Sequence, residues 1–287
     1  MASLITLKRR IGSIKNTRQI TKAMELVSSS KLRRAQTQAL ASRAYREAAY
    51  SLLARLSTIK EVEQQPLFRK RPVKNRLYVV ITSNSGLAGA YNANVLKLLT
   101  QSIRKDQADK VKSSVITIGN KGVQLVRLLN GVELVAHYPA FGDEPTEADI
   151  QPILNALVEN YRDEKIDEVR VLYTNFQSSI TQVATNLPLL PAQVDEAAAK
   201  SDVVMNFEPD VETVVHQTAA RLIEAQIWQA LLESLASEHA MRALAMKNAT
   251  DNANDLIGDY TLEYNTARQG AITQELAEIT GGAEAMK

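Results

Sequence analysis

The chain contains no cysteine, which excludes disulfide bonds, thiol catalysis and cysteine metal sites. Its three histidines, His137, His216 and His239, are too far apart to form a zinc-ligand pattern. Aromatic residues make up only 5% of the chain, and no apolar run is long enough to span a bilayer. No nucleophile–base or paired-carboxylate arrangement stands out, so no pattern in the chain supports catalysis.

Proline is absent from residues 3–60 and 211–286, so neither segment contains a residue that must break a helix. Residues 1–60 carry thirteen Lys/Arg and two Asp/Glu, whereas residues 208–287 carry thirteen Asp/Glu and five Lys/Arg. The opposite charges favour pairing of the two segments. The second segment is the longer one, and we expect it to outrun the first from about residues 265–270, leaving an unpaired helical tip.

Both segments repeat apolar or small residues in steps of three and four, which is typical of a coiled-coil helix. The predicted seam of the first helix runs through Leu4, Leu7, Ile11, Ile14, Ile20, Met24 and Val27. The predicted seam of the second helix includes Met246, Ala249, Ala253, Leu256, Tyr260 and Tyr264. In this register Met24 lies opposite the turn from Arg242 to Met246.

Between the two segments, β-branched runs alternate with helix patterns. The predicted strands cover residues 76–82, 115–118, 132–137, 169–174, 181–187 and 203–207, and the predicted helices cover 93–104, 123–129 and 147–161. This alternation indicates a mostly parallel, Rossmann-like sheet. The predicted fold is therefore α/β: a long antiparallel coiled coil of residues 1–62 and 208–287 with an inserted Rossmann-like domain at 63–207.

Three further features leave alternatives open. The turns Gly86–Gly89 and Gly119–Gly122 follow strands, where a glycine loop can cradle a phosphate. Neither completes a dinucleotide or P-loop motif, so a tight turn is favoured and a nucleotide-binding enzyme with a helical arm is the second hypothesis.

The basic stretch Lys31–Arg34 suits a nucleic-acid-binding arm, but a solvated or partner-facing helix is favoured. The acid-free residues 1–24 also have transit-peptide composition, but the seam continues beyond them without a break.

Four stretches resemble the γ subunit of F-type ATP synthase. Ile14–Val27 resembles the N-terminal signature of that family, and Thr82–Asn92 resembles its glycine loop. Ser237–Ala253 and Tyr264–Ala283 are similar to its C-terminal helix. The resemblance covers the whole chain in order, and the two terminal motifs are the most specific.

The resemblance implies a rotor subunit of the central stalk, non-catalytic by itself. It implies that proton flow turns a ring of membrane c subunits and that this chain turns with it inside a hexamer of α and β subunits. Rotation would then couple hydrogen ion transport to ATP synthesis or hydrolysis. The implied partners are α, β, ε and the c ring, with no cofactor, no direct nucleotide binding and no nucleic acid. The implied location is the cytoplasmic face of the bacterial inner membrane, as a peripheral membrane protein.

The resemblance also implies contact residues, carried over by matching position. The residues implied to face the β subunit are Lys22, Met24, Arg242, Arg268, Gln269, Thr273, Glu275 and Glu278. The implied foot near the c ring is Phe207, Glu208 and Pro209. The chain departs from the family pattern at Asn84–Ser85, Thr266 and Gly270. A glycine inside a helix costs about 0.5–1 kcal/mol relative to alanine, so Gly270 is expected to soften the tip.

Overall fold

A computed structural model describes residues 4–56, 66–142, 145–192 and 211–285. The chain divides into two compact units, a helical unit of residues 1–28 and 242–287 and a mixed unit of residues 29–241. Two long helices, α1 (Leu4–Leu56) and α5 (Val211–Ala285), contribute residues to both units. These helices confirm the prediction from the two proline-free segments.

The described part of the mixed unit also contains five strands and three shorter helices. They are β1 (Asn75–Ile81), α2 (Tyr91–Ala108), β2 (Lys112–Ile118), α3 (Asn120–Val126), β3 (Val132–Tyr138), α4 (Glu147–Arg162), β4 (Glu168–Phe176) and β5 (Gln182–Leu190). Every element predicted between residues 76 and 187 is present, with displaced ends. Helix α3 begins three residues earlier than predicted, because Gly119 turns the chain with a φ of 99° and the helix starts directly after it.

The five strands form one sheet in the order β3-β2-β1-β4-β5. The pairs β1–β2, β2–β3 and β1–β4 are parallel, and β5 pairs antiparallel with β4 at the edge. The sheet is therefore mostly parallel, as predicted. Strand β5 continues through Pro188, beyond the predicted end of the strand at residue 187. An edge strand tolerates proline, because the missing N–H costs no hydrogen bond on its open side.

The alternating side chains of β1 enter two separate cores. Leu77, Val79 and Ile81 pack in the core that also contains residues of α4 and α5. Tyr78 and Val80 pack on the opposite face, with α2. Because both faces of β1 are covered, its sequence is apolar at every position from Leu77 to Ile81.

In the helical unit, the seam of α1 differs from the predicted one after Ile14. Thr21 and Ser28 are buried, whereas Ile20 and Val27 are 61% and 54% exposed. Positions 7, 14, 21 and 28 repeat every seven residues, and two of the four are polar. The prediction that Ile20 and Val27 lie in the seam was therefore wrong, because it followed the most apolar residue of each turn.

The seam of α5 in the helical unit keeps the predicted Met246, Ala253, Tyr260 and Tyr264, but Thr250 is more buried than Ala249, and Ile257 than Leu256. Met246, Thr250 and Ala253 are buried, and Ile257 and Tyr260 are partly buried. Leu256, predicted to lie in the seam, is 45% exposed. The seven-residue spacing of Thr250 and Ile257 continues through Tyr264 and Ala271, which are also partly buried.

Several expectations fall outside the described residues. The strand predicted at 203–207 and the foot residues Phe207, Glu208 and Pro209 lie there. The domain boundaries at 62/63 and 207/208 also lie there and stay predictions. Among the helices that are described, none combines the length and apolar content that crossing a bilayer requires.

Candidate functional site

The glycine turns at the carboxyl ends of β1 and β2 are held by internal hydrogen bonds. The Gly122 N–H donates to Thr82 Oγ1 over 2.9 Å, and a Cβ at Gly119 would lie 2.1 Å from the Thr82 carbonyl oxygen. Gly119 is therefore required by the close approach of two strand ends. A Cβ at Gly86 would meet nothing within 4 Å, so the first turn imposes no such requirement there.

Asn84, at one of the departures from the family pattern, bridges two loops of the mixed unit. Its Nδ2 donates to the Ala140 carbonyl, and its Oδ1 accepts from the Ala140 N–H, both over 2.9 Å. The Asn120 N–H also lies 3.4 Å from Asn84 Oδ1. The side chain thus ties the loops after β1, β2 and β3 together, which is a structural role.

Open α/β sheets bind ligands in the crevice beyond the carboxyl ends of their strands. In this chain, helix α5 lies against that crevice. A cavity of about 20 Å³ there is lined by strand ends at Ile81, Thr82 and Ile118, and by Leu231, Ser234 and Leu235 of α5. This volume holds about one water molecule.

Three contacts in the helical unit define how α1 and α5 pair there. The Thr250 hydroxyl donates to the Thr21 hydroxyl over 2.8 Å. Arg18 donates to Asn254 Oδ1 over 3.3 Å, and the Arg10 guanidinium lies 5.9 Å from the centre of the Tyr260 ring. Residue numbers fall on α1 as they rise on α5, so the two helices run antiparallel.

Continuing this register by whole turns places Met24 beside the turn that contains Met246. Met24 is partly buried and lies between the exposed Ile20 and Val27. These three residues follow the i, i+4, i+7 spacing of one helix face, so together they form an apolar stripe on α1, called the α1 stripe below.

Lys22 and Arg242, the other residues expected in this region, differ in exposure. Lys22 is exposed, and its ammonium donates to both carboxylate oxygens of Glu25 over 3.0 Å. Arg242 is partly buried. Lys22 and Met24 thus share one region of α1, and Arg242 lies one turn before Met246 on α5.

The expected tip residues occupy the last turns of α5. Arg268, Gln269, Thr273, Glu275 and Glu278 are all exposed. The Thr273 hydroxyl donates to the Gln269 carbonyl over 2.9 Å, within the helix itself. The distance along α5 from Met246 to Arg268 is roughly 33 Å at the usual helical rise, so the expected contact residues form two separate regions.

Beyond Ala271, every residue of α5 up to residue 283 is exposed. Extending the register to the start of α1 brings Leu4 roughly beside Ala267. The first described turn of α1 therefore lies close to the point on α5 beyond which every residue is exposed. Ile272, Leu276 and Ile279 are exposed and share one face, called the tip stripe below. An exposed apolar stripe on an unpaired helix is typical of a protein–protein contact.

The sequence did not predict the polar contacts that α5 makes with α1 and with strand β4. Thr21 and Thr250 in the helical unit were not expected, nor were Ser234 and Ser237 of the mixed unit, whose hydroxyls bond the backbone of Thr174. Strict seven-residue steps from Leu7 would have found Thr21. The serine contacts join a helix to a distant strand, and no periodicity encodes them.

Comparisons with known proteins agree across the chain. A family model described as ATP synthase matches residues 3–286. The ATP synthase gamma chain of Geobacter metallireducens is 41% identical over the full length of both chains, and that of Brevibacillus brevis is 40% identical over 97% of each.

Solved structures share the fold. A chain of the Euglena gracilis mitochondrial ATP synthase matches with a TM-score of 0.65 at 20% identity, covering 99% of this chain and 94% of that one. A chain from the central stalk and c-ring structure of the Tetrahymena thermophila mitochondrial enzyme matches with a TM-score of 0.64 at 24% identity, over 80% and 99%. The fold, the full-length identity and the family model agree, and the chain belongs to the ATP synthase gamma chain family.

Proposed function

We propose that this chain works as the central-stalk rotor of the F1Fo ATP synthase through two contact regions with the β subunits. The first is the shaft region, which comprises Lys22, Met24 and Arg242. The second is the tip region, which comprises Arg268, Gln269, Thr273, Glu275 and Glu278. Rotation driven by the c ring moves both regions past the α and β subunits and so couples proton translocation to ATP synthesis or hydrolysis.

The observation that carries this proposal is the exposure of α5 beyond Ala271. The tip stripe of Ile272, Leu276 and Ile279 supplies apolar area for a surrounding protein. The neighbouring Arg268 and Glu275 supply charged groups, whose hydrogen bonds are stronger than neutral ones and depend on geometry. Such bonds form with one conformation of a partner and break with the next, which a turning part requires.

The shaft region is supported by the α1 stripe. Ile20 and Val27 are exposed beside the partly buried Met24, although the helix offers buried seam positions one residue away. Exposed apolar residues in this arrangement suit a close-fitting sleeve of other subunits. Lys22 lies at the same height on the opposite face of α1 and supplies a positive charge, which suits an acidic group on a β subunit.

The chain carries no catalysis itself in this proposal. The crevice that a nucleotide would need is occupied by α5, and the cavity left there holds about one water. The complex is held at the cytoplasmic face of the inner membrane through the c ring, with ε beside the mixed unit. The foot at Phe207, Glu208 and Pro209 completes the contact with the c ring.

The test uses the chain assembled with α and β subunits from the same source. Arg268→Ala with Gln269→Ala should lower Mg-ATPase turnover or assembly yield by about fivefold, the size of one lost hydrogen bond. Thr261→Ala is the matched control, because its exposed hydroxyl bonds only the Ile257 carbonyl of its own helix. Unchanged assembly and turnover would remove Arg268 and Gln269 from the tip region. A chain that stays separate from α and β would overturn the proposed function.

A further inference from the structure

Helix α5 is hydrogen-bonded to strand β4 of the mixed unit through both the backbone N–H and the backbone carbonyl of Thr174. The Thr174 N–H donates to Ser234 Oγ over 3.1 Å. Ser237 Oγ donates to the Thr174 carbonyl oxygen over 3.2 Å. The serines are three residues apart and therefore lie on one face of α5.

These hydrogen bonds lie where the sheet opens. The register between β1 and β4 ends at Val80 and Leu172, two residues before Thr174. Beyond that point the chain after β1 follows β2 instead, and the Thr82 N–H donates to the Ile118 carbonyl over 2.7 Å. The serine hydroxyls thus bond backbone groups that β1 no longer reaches.

The position is a topological switch point, because β1 is followed on one side by β2 and on the other by β4. Ligands of open α/β sheets bind at such a point. Here the site is filled by protein: Ser234 is 1% exposed and Ser237 is 0% exposed. Leu231 and Leu235 of the same helix line the small cavity beside them.

The same stretch of α5 is also tied to α1 within the mixed unit. Gln229 Nε2 lies 3.4 Å from the Ala39 carbonyl oxygen and donates to Glu233 Oε1 over 2.7 Å. Arg43 lies 3.7 Å from the same carboxylate oxygen. Residues 229–237 therefore connect both long helices to the sheet.

We propose that Ser234 and Ser237 form a clamp on Thr174 that fixes the rotation and axial position of α5 on the sheet. The inference rests on the proposed function, in which torque passes between the helices and the α/β domain. The hydrophobic effect is non-directional and does not by itself select one orientation of α5 on the sheet. Two hydrogen bonds to one peptide residue resist both sliding and rotation of the helix, because either motion breaks the geometry of at least one.

The clamp makes a direct prediction for hydrogen exchange in the assembled complex. Ser234→Ala should speed exchange of the Thr174 amide by about tenfold or more, because its acceptor is lost. Ser237→Ala should leave that amide bonded and change its exchange much less. Thr37→Ala is the control, since this exposed hydroxyl bonds only the Arg33 carbonyl of its own helix. Equal exchange in Ser234→Ala, Thr37→Ala and the parent chain would overturn the clamp.

A rotation measurement tests the role of the clamp. Because the chain has no cysteine, Ile180→Cys gives a single attachment site on the exposed turn after β4. A probe at this site should show about twofold wider angular fluctuation during each pause in Ser234→Ala with Ser237→Ala. Mg-ATPase turnover should stay near the parent value.

Single serine variants should show intermediate widening, so the test holds if the double variant fails to assemble. Equal width in the parent, Thr37→Ala and the single serine variants would overturn the proposed role. A parent complex in which the probe never rotates would instead overturn the rotor function itself. The two failures are therefore distinguishable.

Discussion

Thr250 of α5 donates a 2.8 Å hydrogen bond to Thr21 of α1, and both threonines are buried in the seam of the helical unit. Thr21 in turn donates to the Arg18 carbonyl over 3.1 Å. Threonines at seam positions bury less apolar area than leucines would. Each hydroxyl also lies within hydrogen-bond distance of a carbonyl of its own helix, Arg18 for Thr21 and Met246 for Thr250. The contact between the two hydroxyls adds a directional bond that forms at one register of the two helices.

Removing one threonine of this pair should cost more stability than replacing both. Thr250→Val leaves Thr21 without its donor and should lower the free energy of unfolding by about 1 kcal/mol. Thr21→Val with Thr250→Val replaces both hydroxyls by methyl groups and should be close to neutral. Urea unfolding followed by far-ultraviolet circular dichroism measures the difference. A double variant at least as destabilised as the sum of the two single variants would contradict the pairing.

The seam shows how far the sequence predicts the helices. Absence of proline and three–four spacing predicted both helices and their antiparallel pairing. The phase was wrong by one residue after Ile14, because Ile20 is more apolar than the adjacent Thr21. Hydrophobicity identifies apolar faces that are stabilised by burial, but a helix within a complex can have two such faces. The exposed Ile20 and the buried Leu7 of the seam are similarly apolar in the sequence.

Met24→Lys should uncouple the assembled enzyme. The side chain lies between Ile20 and Val27 on the α1 stripe, and the register places it beside the turn that also carries Lys247. A new ammonium there repels Lys247 or pairs with an acidic group on a β subunit, and either changes a contact that must open on every turn. We expect protons pumped per ATP hydrolysed to fall by about twofold or more, as one misplaced charge pair suffices for such a change.

Met24→Leu is the matched control, because it conserves volume and apolarity. It should keep the parent ratio of protons to ATP. A normal ratio in Met24→Lys would remove Met24 from the shaft region.

Gly119→Ala should destabilise the mixed unit by about 2 kcal/mol or more. Its φ of 99° disfavours side chains, and the added Cβ would lie 2.1 Å from the Thr82 carbonyl oxygen. Gly142→Ala is the control, since its Cβ meets nothing within 4 Å, and it should change stability by less than about 1 kcal/mol. Fluorescence of the single tryptophan, Trp228, packed against the core shared by α4 and α5, reports this unfolding. Equal stability of the two variants would show that the turn relaxes freely.

The candidate site was partly predictable for similar physical reasons. The exposed tip follows from the unequal lengths of two paired helices, which can be counted in the sequence. The filled crevice could not be predicted. It depends on Ser234 and Ser237 reaching the backbone of Thr174, sixty or more residues away in the chain, and serine in a helix has no pattern that announces such a contact.

The first turn of α4 should make stability depend on pH in a defined direction. Asp149 Oδ2 accepts from the Thr146 N–H over 2.7 Å and from the Thr146 hydroxyl over 2.8 Å. These bonds, the backbone one first, hold the pKa of Asp149 below its ordinary value of 3.8. Because the folded pKa is the lower one, the carboxylate stabilises the fold above pH 3.8. That contribution disappears as the pH falls through the folded pKa.

Asp149→Asn keeps an acceptor oxygen but removes the charge, so it isolates this contribution. The variant should melt at a lower temperature than the parent near neutral pH, and the gap should close as both are measured at progressively lower pH below 3.8. Thermal unfolding followed by Trp228 fluorescence measures the gap. Thr146→Ala should reduce the difference in melting temperature that Asp149→Asn causes, because one of the two hydrogen bonds to the carboxylate is lost. A gap that stays constant down to the most acidic pH would mean that the carboxylate charge contributes nothing to this helix start.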